Sequence, residues 1–96
     1  NGPAVGMGCS LALCGDLVIA SERAFFLQGF VNVGLAPDGG SSWLLPRLIG
    51  RARTMEMMML GERIPSRQAA EWGMIYKSVS EEEFAAEVDA VATRLA

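Results

Sequence analysis

Asn1-Gly2-Pro3-Ala4-Val5-Gly6-Met7-Gly8-Cys9-Ser10-Leu11-Ala12-Leu13-Cys14-Gly15-Asp16, followed at once by Leu17-Val18-Ile19-Ala20, packs three local signals together. Gly2-Pro3 marks a turn, and Gly6-Met7-Gly8 lets the backbone approach a neighbour closely. Gly2 to Gly8 therefore reads as a loop. Cys9 to Cys14 reads as a short buried helix, with small and apolar residues on every face, and Gly15-Asp16 ends it. The apolar run Leu17 to Ala20 has strand length and the unbroken hydrophobicity of a strand covered on both faces. Loop, helix and doubly covered strand in that order point to an α/β arrangement. A nucleotide cradle is excluded: Gly2, Gly6 and Gly8 lack the dinucleotide spacing, and no Lys-Ser/Thr follows them.

Downstream, Ser21-Glu22-Arg23 is a polar turn and Ala24-Phe25-Phe26-Leu27 a second short strand, while Gln28 to Val33 fits no single period. Gly34-Leu35-Ala36-Pro37-Asp38-Gly39-Gly40-Ser41-Ser42-Trp43 then holds one carboxylate between a proline and two glycines. Pro37 fixes its own φ and biases Ala36 away from helical geometry, and Asp38 has the side chain of an N-cap for a helix running from Gly40 to Ile49. Pro46 within that helix restricts its hydrogen bonding, and Gly50 stops it. Arg51 to Leu60 is a helix with Thr54, Met57, Met58 and Leu60 on an apolar band. Its methionines read as flexible core filling. Gly61 ends it, Ser66 is a possible cap for a helix from Arg67 to Trp72, and Met74 to Val79 is extended. Ser80-Glu81-Glu82-Glu83 is a capping box with acids in the first turn. The helix it opens shows Phe84, Val88, Val91 and Leu95 on one face.

Composition narrows the function. A net charge of −3, with no basic cluster, argues against a nucleic-acid partner. The longest uncharged run, Asn1 to Gly15, is too broken by glycine and proline to span a bilayer. Cys9 and Cys14 read as two buried free thiols in a reducing cytoplasm. A disulfide would distort a helix at that spacing, and a chain without histidine offers too few ligands for zinc. Half the 96 residues are apolar, with 11 glycines and six methionines, more apolar sequence than so short a chain covers by itself. The expectation is a piece of a larger protein, covered by other segments or by partner subunits.

The opening stretch, taken with Gly34-Leu35-Ala36-Pro37-Asp38-Gly39-Gly40, Leu45-Pro46-Arg47-Leu48-Ile49-Gly50, Gly61-Glu62-Arg63-Ile64 and Ala69-Ala70-Glu71-Trp72-Gly73-Met74-Ile75, resembles the crotonase (enoyl-CoA hydratase/isomerase) family in order along nearly the whole chain. That resemblance implies an α/β fold of repeated ββα units forming a spiral. Residues 1–79 would be its later part with adjoining helices, and residues 80–96 the start of a helical C-terminal region that makes trimers or hexamers. It implies an acyl-CoA thioester as substrate, coenzyme A as the substrate's handle and no other cofactor, no metal, no membrane, and a cytoplasmic, fatty-acid or phenylacetate-degrading setting.

The resemblance also distributes roles. An enolate forms when a proton leaves the α-carbon of the thioester, and two backbone N–H groups form the oxyanion hole that stabilises it. One of them falls on Met7; the other would lie outside these residues. Hydratases of the family use two glutamates, at positions that here hold Ser10 and Phe30, so water addition is not expected. Isomerase members carry one carboxylate in the Pro-Asp/Glu turn, where Asp38 stands. It can remove a proton from C2 and return it at C4. Phe30, Leu35 and Pro37 would reach the acyl pocket, with Gln28 and Asn32 as weaker candidates. The resemblance thus implies an isomerase that shifts a 3-enoyl-CoA double bond to the 2-position or rearranges a ring-1,2-epoxidised phenylacetyl-CoA. Hydration, or a non-catalytic binding subunit of the same fold, is the alternative. Asp38 can serve as helix cap, as acid/base, or as both.

Overall fold

The computed structural model describes residues 1–96. Its elements in order are β1 (Pro3–Val5), α1 (Met7–Ala12), β2 (Ile19–Ser21), β3 (Phe25–Leu27), a 3₁₀ turn (Val31–Val33), α2 (Ser41–Ile49), α3 (Arg51–Met55) running on into a π-helical turn (Glu56–Leu60), β4 (Ile64–Pro65), α4 (Ser66–Glu71), β5 (Lys77–Val79) and α5 (Glu81–Leu95). The α/β class is as expected.

Two small sheets organise the chain. In one, β1 and β3 run parallel, with Pro3 opposite Phe25 and Val5 opposite Leu27, and β4 pairs antiparallel on the other side of β3. In the other, β2 and β5 are parallel, with Ile19 opposite Lys77. The segment read as a loop from Gly2 to Gly8 thus contains a strand. Pro3 is tolerated there because β1 is an edge strand.

The core lies between these sheets and the helices. Cys9 and Leu13 from the α1 region, Ala20, Ala24 and Phe26 from the strands, Leu45 and Ile49 from α2, Met57 from the π turn, and Ile64, Ala69, Met74 and Ile75 close on one another. Leu45 and Met57 are completely buried, so the methionine run does fill the core at one position. Met59 and Leu60 stay exposed, because the π turn widens the helix and spreads its side chains over more than one face, and Met55, at the end of α3, is exposed as well. Ser80 does cap α5, forming one half of the expected capping box: its Oγ accepts from the Glu83 N–H at 3.3 Å. Lys77–Glu87 and Arg23–Glu81 ion pairs tie α5 to the body.

Three expectations need correction. The α1 segment is not apolar-packed all round: Leu11 is 73% exposed, since only one face of a six-residue helix meets the sheet. Cys14, read as buried, is exposed beyond the end of α1, and only Cys9 is sealed. Burial pushes the Cys9 thiol up, against the smaller opposing pull of hydrogen bonds from Gln28 and the Leu27 backbone. Alkylation should therefore label Cys14 first, with Cys9 protected by its burial and its raised thiol pKa. Equal labelling rates by mass spectrometry at pH 8 would contradict this packing. Ser66 is no helix cap either. Its hydroxyl donates to the Ser21 carbonyl at 2.8 Å and meets Ser78 Oγ at 2.7 Å, tying α4 to β2 and β5.

Candidate active site

The N-terminal end of α1 and the Pro37–Gly40 turn meet. Gly6 precedes the helix at φ 55°, ψ −120°, a conformation that turns the chain sharply from β1 into α1. Its N–H is held by the Leu27 carbonyl at 2.8 Å and its carbonyl accepts from the Ser10 N–H at 3.1 Å, so the turn is pinned on both sides. Met7, Gly8 and Cys9 follow as the first turn, where the helix itself supplies no acceptor for their N–H groups.

Asp38 lies against this helix end by its backbone. Ser10, completely buried, donates its hydroxyl to the Asp38 carbonyl at 2.8 Å, and Ser41 Oγ donates to the same oxygen at 3.0 Å. Gly39 sits so close to α1 that a Cβ there would stand 2.5 Å from Met7 Sδ and 2.6 Å from Ser10 Cβ. The Asp38 side chain is exposed, and its Oδ1 accepts from the Gly39 N–H at 2.7 Å. It does not cap α2. Gly39 and Gly40 both adopt left-handed φ, 69° and 82°, and this pair of turns places Gly40 at the N-cap and carries the carboxylate off the helix axis. The N-cap expectation for Asp38 is thereby corrected, and its carboxylate remains available for other work.

Beside Gly6 opens an apolar cavity of about 290 Å³, lined by Val5, Gly6, Gln28, Gly29, Phe30, Val33 and Leu35. The Phe30 ring stands over Gly6, 3.7 Å from where a Cβ would be. Phe30 and Leu35 thus share one cavity next to the start of α1, while Pro37, half-buried, stays out of its lining. Gln28 contributes to the wall but its side chain is sealed beneath α1. There Nε2 donates to Cys9 Sγ at 3.5 Å, and Oε1 has no protein partner. Asn32 does not line the cavity; its amide donates to the Gly61 carbonyl at 3.0 Å. Val5 and Val33 were not anticipated in this lining, and neither was the role of Ser10 as a clamp. The one sequence signal for Ser10 is a small hydroxyl in an otherwise apolar helix, next to buried Cys9. No three Cys, Asp or Glu side chains converge to hold a metal ion, and no helix is long and apolar enough to cross a membrane.

Comparison with known proteins gives this geometry a setting. All of residues 1–96 match the sequence profile of the family described as enoyl-CoA hydratase/isomerase. The chain is 48% identical over its whole length to the 1,2-epoxyphenylacetyl-CoA isomerase of Escherichia coli strain K12, covering 37% of that protein. It is 45% identical over 84 residues to a probable enoyl-CoA hydratase of Rhodobacter capsulatus, which is 88% of this chain and 33% of that one. Among solved structures, an enoyl-CoA hydratase from Mycobacterium avium subsp. paratuberculosis K-10 superposes with a TM-score of 0.95 at 49% identity, over 98% of this chain and 38% of that one. The chain spans 33% to 38% of the length of these relatives. With a match along every residue and near-superposable backbones, the chain belongs to the enoyl-CoA hydratase/isomerase (crotonase) family and has its α/β fold.

Proposed function

We propose that the protein containing this chain is an acyl-CoA isomerase. In this reading it moves a 3-enoyl double bond to the 2-position or rearranges a ring-1,2-epoxidised phenylacetyl thioester. The observation that carries the reading is the seating of the Asp38 turn on the first turn of α1, with a single carboxylate at that junction. The thioester carbonyl would rest on the Met7 N–H, which heads α1 with no acceptor from its own helix. The acyl group would run into the apolar cavity under Phe30 and Leu35. Asp38, whose turn is seated on α1 through its backbone carbonyl, takes the C2 proton as the enolate forms. It returns the proton at C4 as the double bond moves, so no atom is gained or lost.

The E. coli relative supports isomerisation and an epoxyphenylacetyl substrate. Hydration is the second reading, favoured by the hydratase names of other relatives. Adding water calls for a group to activate it and another to protonate the α-carbon. Ser10 spends its hydroxyl on the Asp38 carbonyl and Phe30 has no proton to give. A trimeric or hexameric, cytoplasmic protein with coenzyme A as its substrate's handle completes the proposal.

The deciding experiment incubates the full-length protein with a 3-enoyl-CoA, and separately with a ring-1,2-epoxidised phenylacetyl-CoA, and follows the products by chromatographic retention together with mass. Conversion to the 2-enoyl isomer at unchanged mass is the expected result. A product heavier by one water would make the protein a hydratase, and no change of either a 3-enoyl-CoA or a ring-1,2-epoxidised phenylacetyl-CoA despite binding would leave a non-catalytic subunit.

A further inference from the structure

Phe30 to Val33 forms a small flap over the cavity. It is bounded by two glycines in left-handed conformations, Gly29 at φ 64° and Gly34 at φ 74°, which no other residue type adopts as easily. Its backbone hydrogen bonds are local: Asn32 N–H to the Gly29 carbonyl at 3.2 Å, Val33 and Leu35 N–H to the Phe30 carbonyl at 3.2 and 2.8 Å, and Gly34 N–H to Val31 at 3.2 Å. They keep the flap's shape and do not fix it to the body. At the flap's first residue the Phe30 N–H donates to the carbonyl of buried Gln28 at 2.7 Å, and beyond that hinge one polar contact ties the flap to the body, the bond from Asn32 Nδ2 to the Gly61 carbonyl at 3.0 Å.

Gly61 is a firm anchor. It closes the π turn with its N–H on the carbonyl of completely buried Met57 at 3.2 Å. It also fits against the flap only because it lacks a side chain. A Cβ at Gly61 would stand 2.7 Å from Asn32 Oδ1 and 2.8 Å from Val31 Cγ1. Phe30 and Val33, on either side of Asn32 in sequence, supply cavity wall. We propose that Asn32 and Gly61 form a latch that holds this wall against the core and so sets the bulk of the group the cavity accepts. Both are positioning residues. The acyl nature of that group rests on the function proposed above; the latch itself does not.

The test compares full-length wild type with Asn32→Ala and Gly61→Ala, using saturated butyryl-CoA and decanoyl-CoA as unreactive ligands, together with amide hydrogen exchange over residues 30–36. Losing one exposed hydrogen bond should speed flap exchange about fivefold in Asn32→Ala, with exchange elsewhere unchanged. The ratio of dissociation constants should shift toward decanoyl-CoA by a similar factor. Gly61→Ala, which pushes the flap outward, should shift both readouts further in the same direction. Unchanged flap exchange in Asn32→Ala, or faster exchange with an unchanged affinity ratio, would overturn the latch. A wild type that binds neither ligand would overturn the acyl reading of the cavity, and flap exchange in the two variants would then decide the latch alone. A wild type that binds both but isomerises neither a 3-enoyl-CoA nor a ring-1,2-epoxidised phenylacetyl-CoA would sink the proposed reaction while leaving the latch to be judged on its own two readouts.

Discussion

Replacing Asp38 by Asn in the full-length protein is expected to slow exchange of the C2 proton of a 3-enoyl-CoA with solvent deuterium about a hundredfold or more, the weight of a positioned general base. The same substitution should leave the fold intact. Asp38 is exposed, and the bond its Oδ1 accepts from the Gly39 N–H is one that an amide oxygen accepts equally well. The contacts that seat the turn, from Ser10 and Ser41, go to the backbone carbonyl and are untouched by the change. Activity and stability therefore separate. Had Asp38 capped α2, Asn, itself a good capping residue, would have preserved stability too, while Asp38→Ala would have cost about 1 kcal/mol. With Gly40 at the N-cap and no side-chain cap bond, Asp38→Ala is expected to melt within a few degrees of wild type and be as inactive as Asp38→Asn. Exchange within a few-fold of wild type in Asp38→Asn would remove the carboxylate from the mechanism.

Why the sequence announces some of this and hides the rest follows from the range of the interactions. The Ser80 cap, the start of α5 and the ending of α2 at Gly50 are written within four residues of where they act, and each appears where its local chemistry puts it, whereas the apolar face of α5 buries no residue and leaves Leu95 71% exposed. The strand β1 is three residues long, starts on a proline and exists only because β3 lies beside it some twenty residues later. Nothing local marks it. The π turn is hidden for a related reason, since Glu56 to Leu60 carries good helix formers and its extra width is set by tertiary packing around Met57. At the candidate site, the proline, the carboxylate and the glycines of the turn are legible one by one. Their seat on α1 is not, because it depends on a hydroxyl 28 residues away at Ser10. The cavity is legible only in part. Phe30 and Leu35 announce themselves by size, whereas Val5 and Val33 reach it through sheet register and the flap's turn.

Gly39→Ala tests the junction more severely than any change to the carboxylate. Two costs add. The first is conformational: an L residue at φ 69° gives up roughly 1 kcal/mol relative to glycine. The second is steric. Met7 Sδ, 2.5 Å from the new methyl, is the far end of a flexible chain and can move aside, but Ser10 Cβ, 2.6 Å away, is fixed on α1 and completely buried. The turn must therefore lift off the helix, stretching the Ser10–Asp38 bond, at an overpacking cost of about 1–3 kcal/mol. Gly40→Ala is the internal control. Gly40 is left-handed at φ 82°, yet nothing lies within 4 Å of where its Cβ would be, so it pays the conformational cost alone. Gly39→Ala should consequently lose about 2–4 kcal/mol of stability, against about 1 for Gly40→Ala, by denaturant titration of the full-length protein. The activity gap should be wider than the stability gap. Lifting the turn carries Asp38 away from the Met7 N–H, and a displacement of about 1 Å at a reacting group is worth on the order of a hundredfold in rate. Under conditions where both variants remain folded, kcat should fall about a hundredfold in Gly39→Ala and only a few-fold in Gly40→Ala. Equal losses in the two variants would mean that backbone strain alone governs this turn, and that its seat on α1 plays no part in placing the acid.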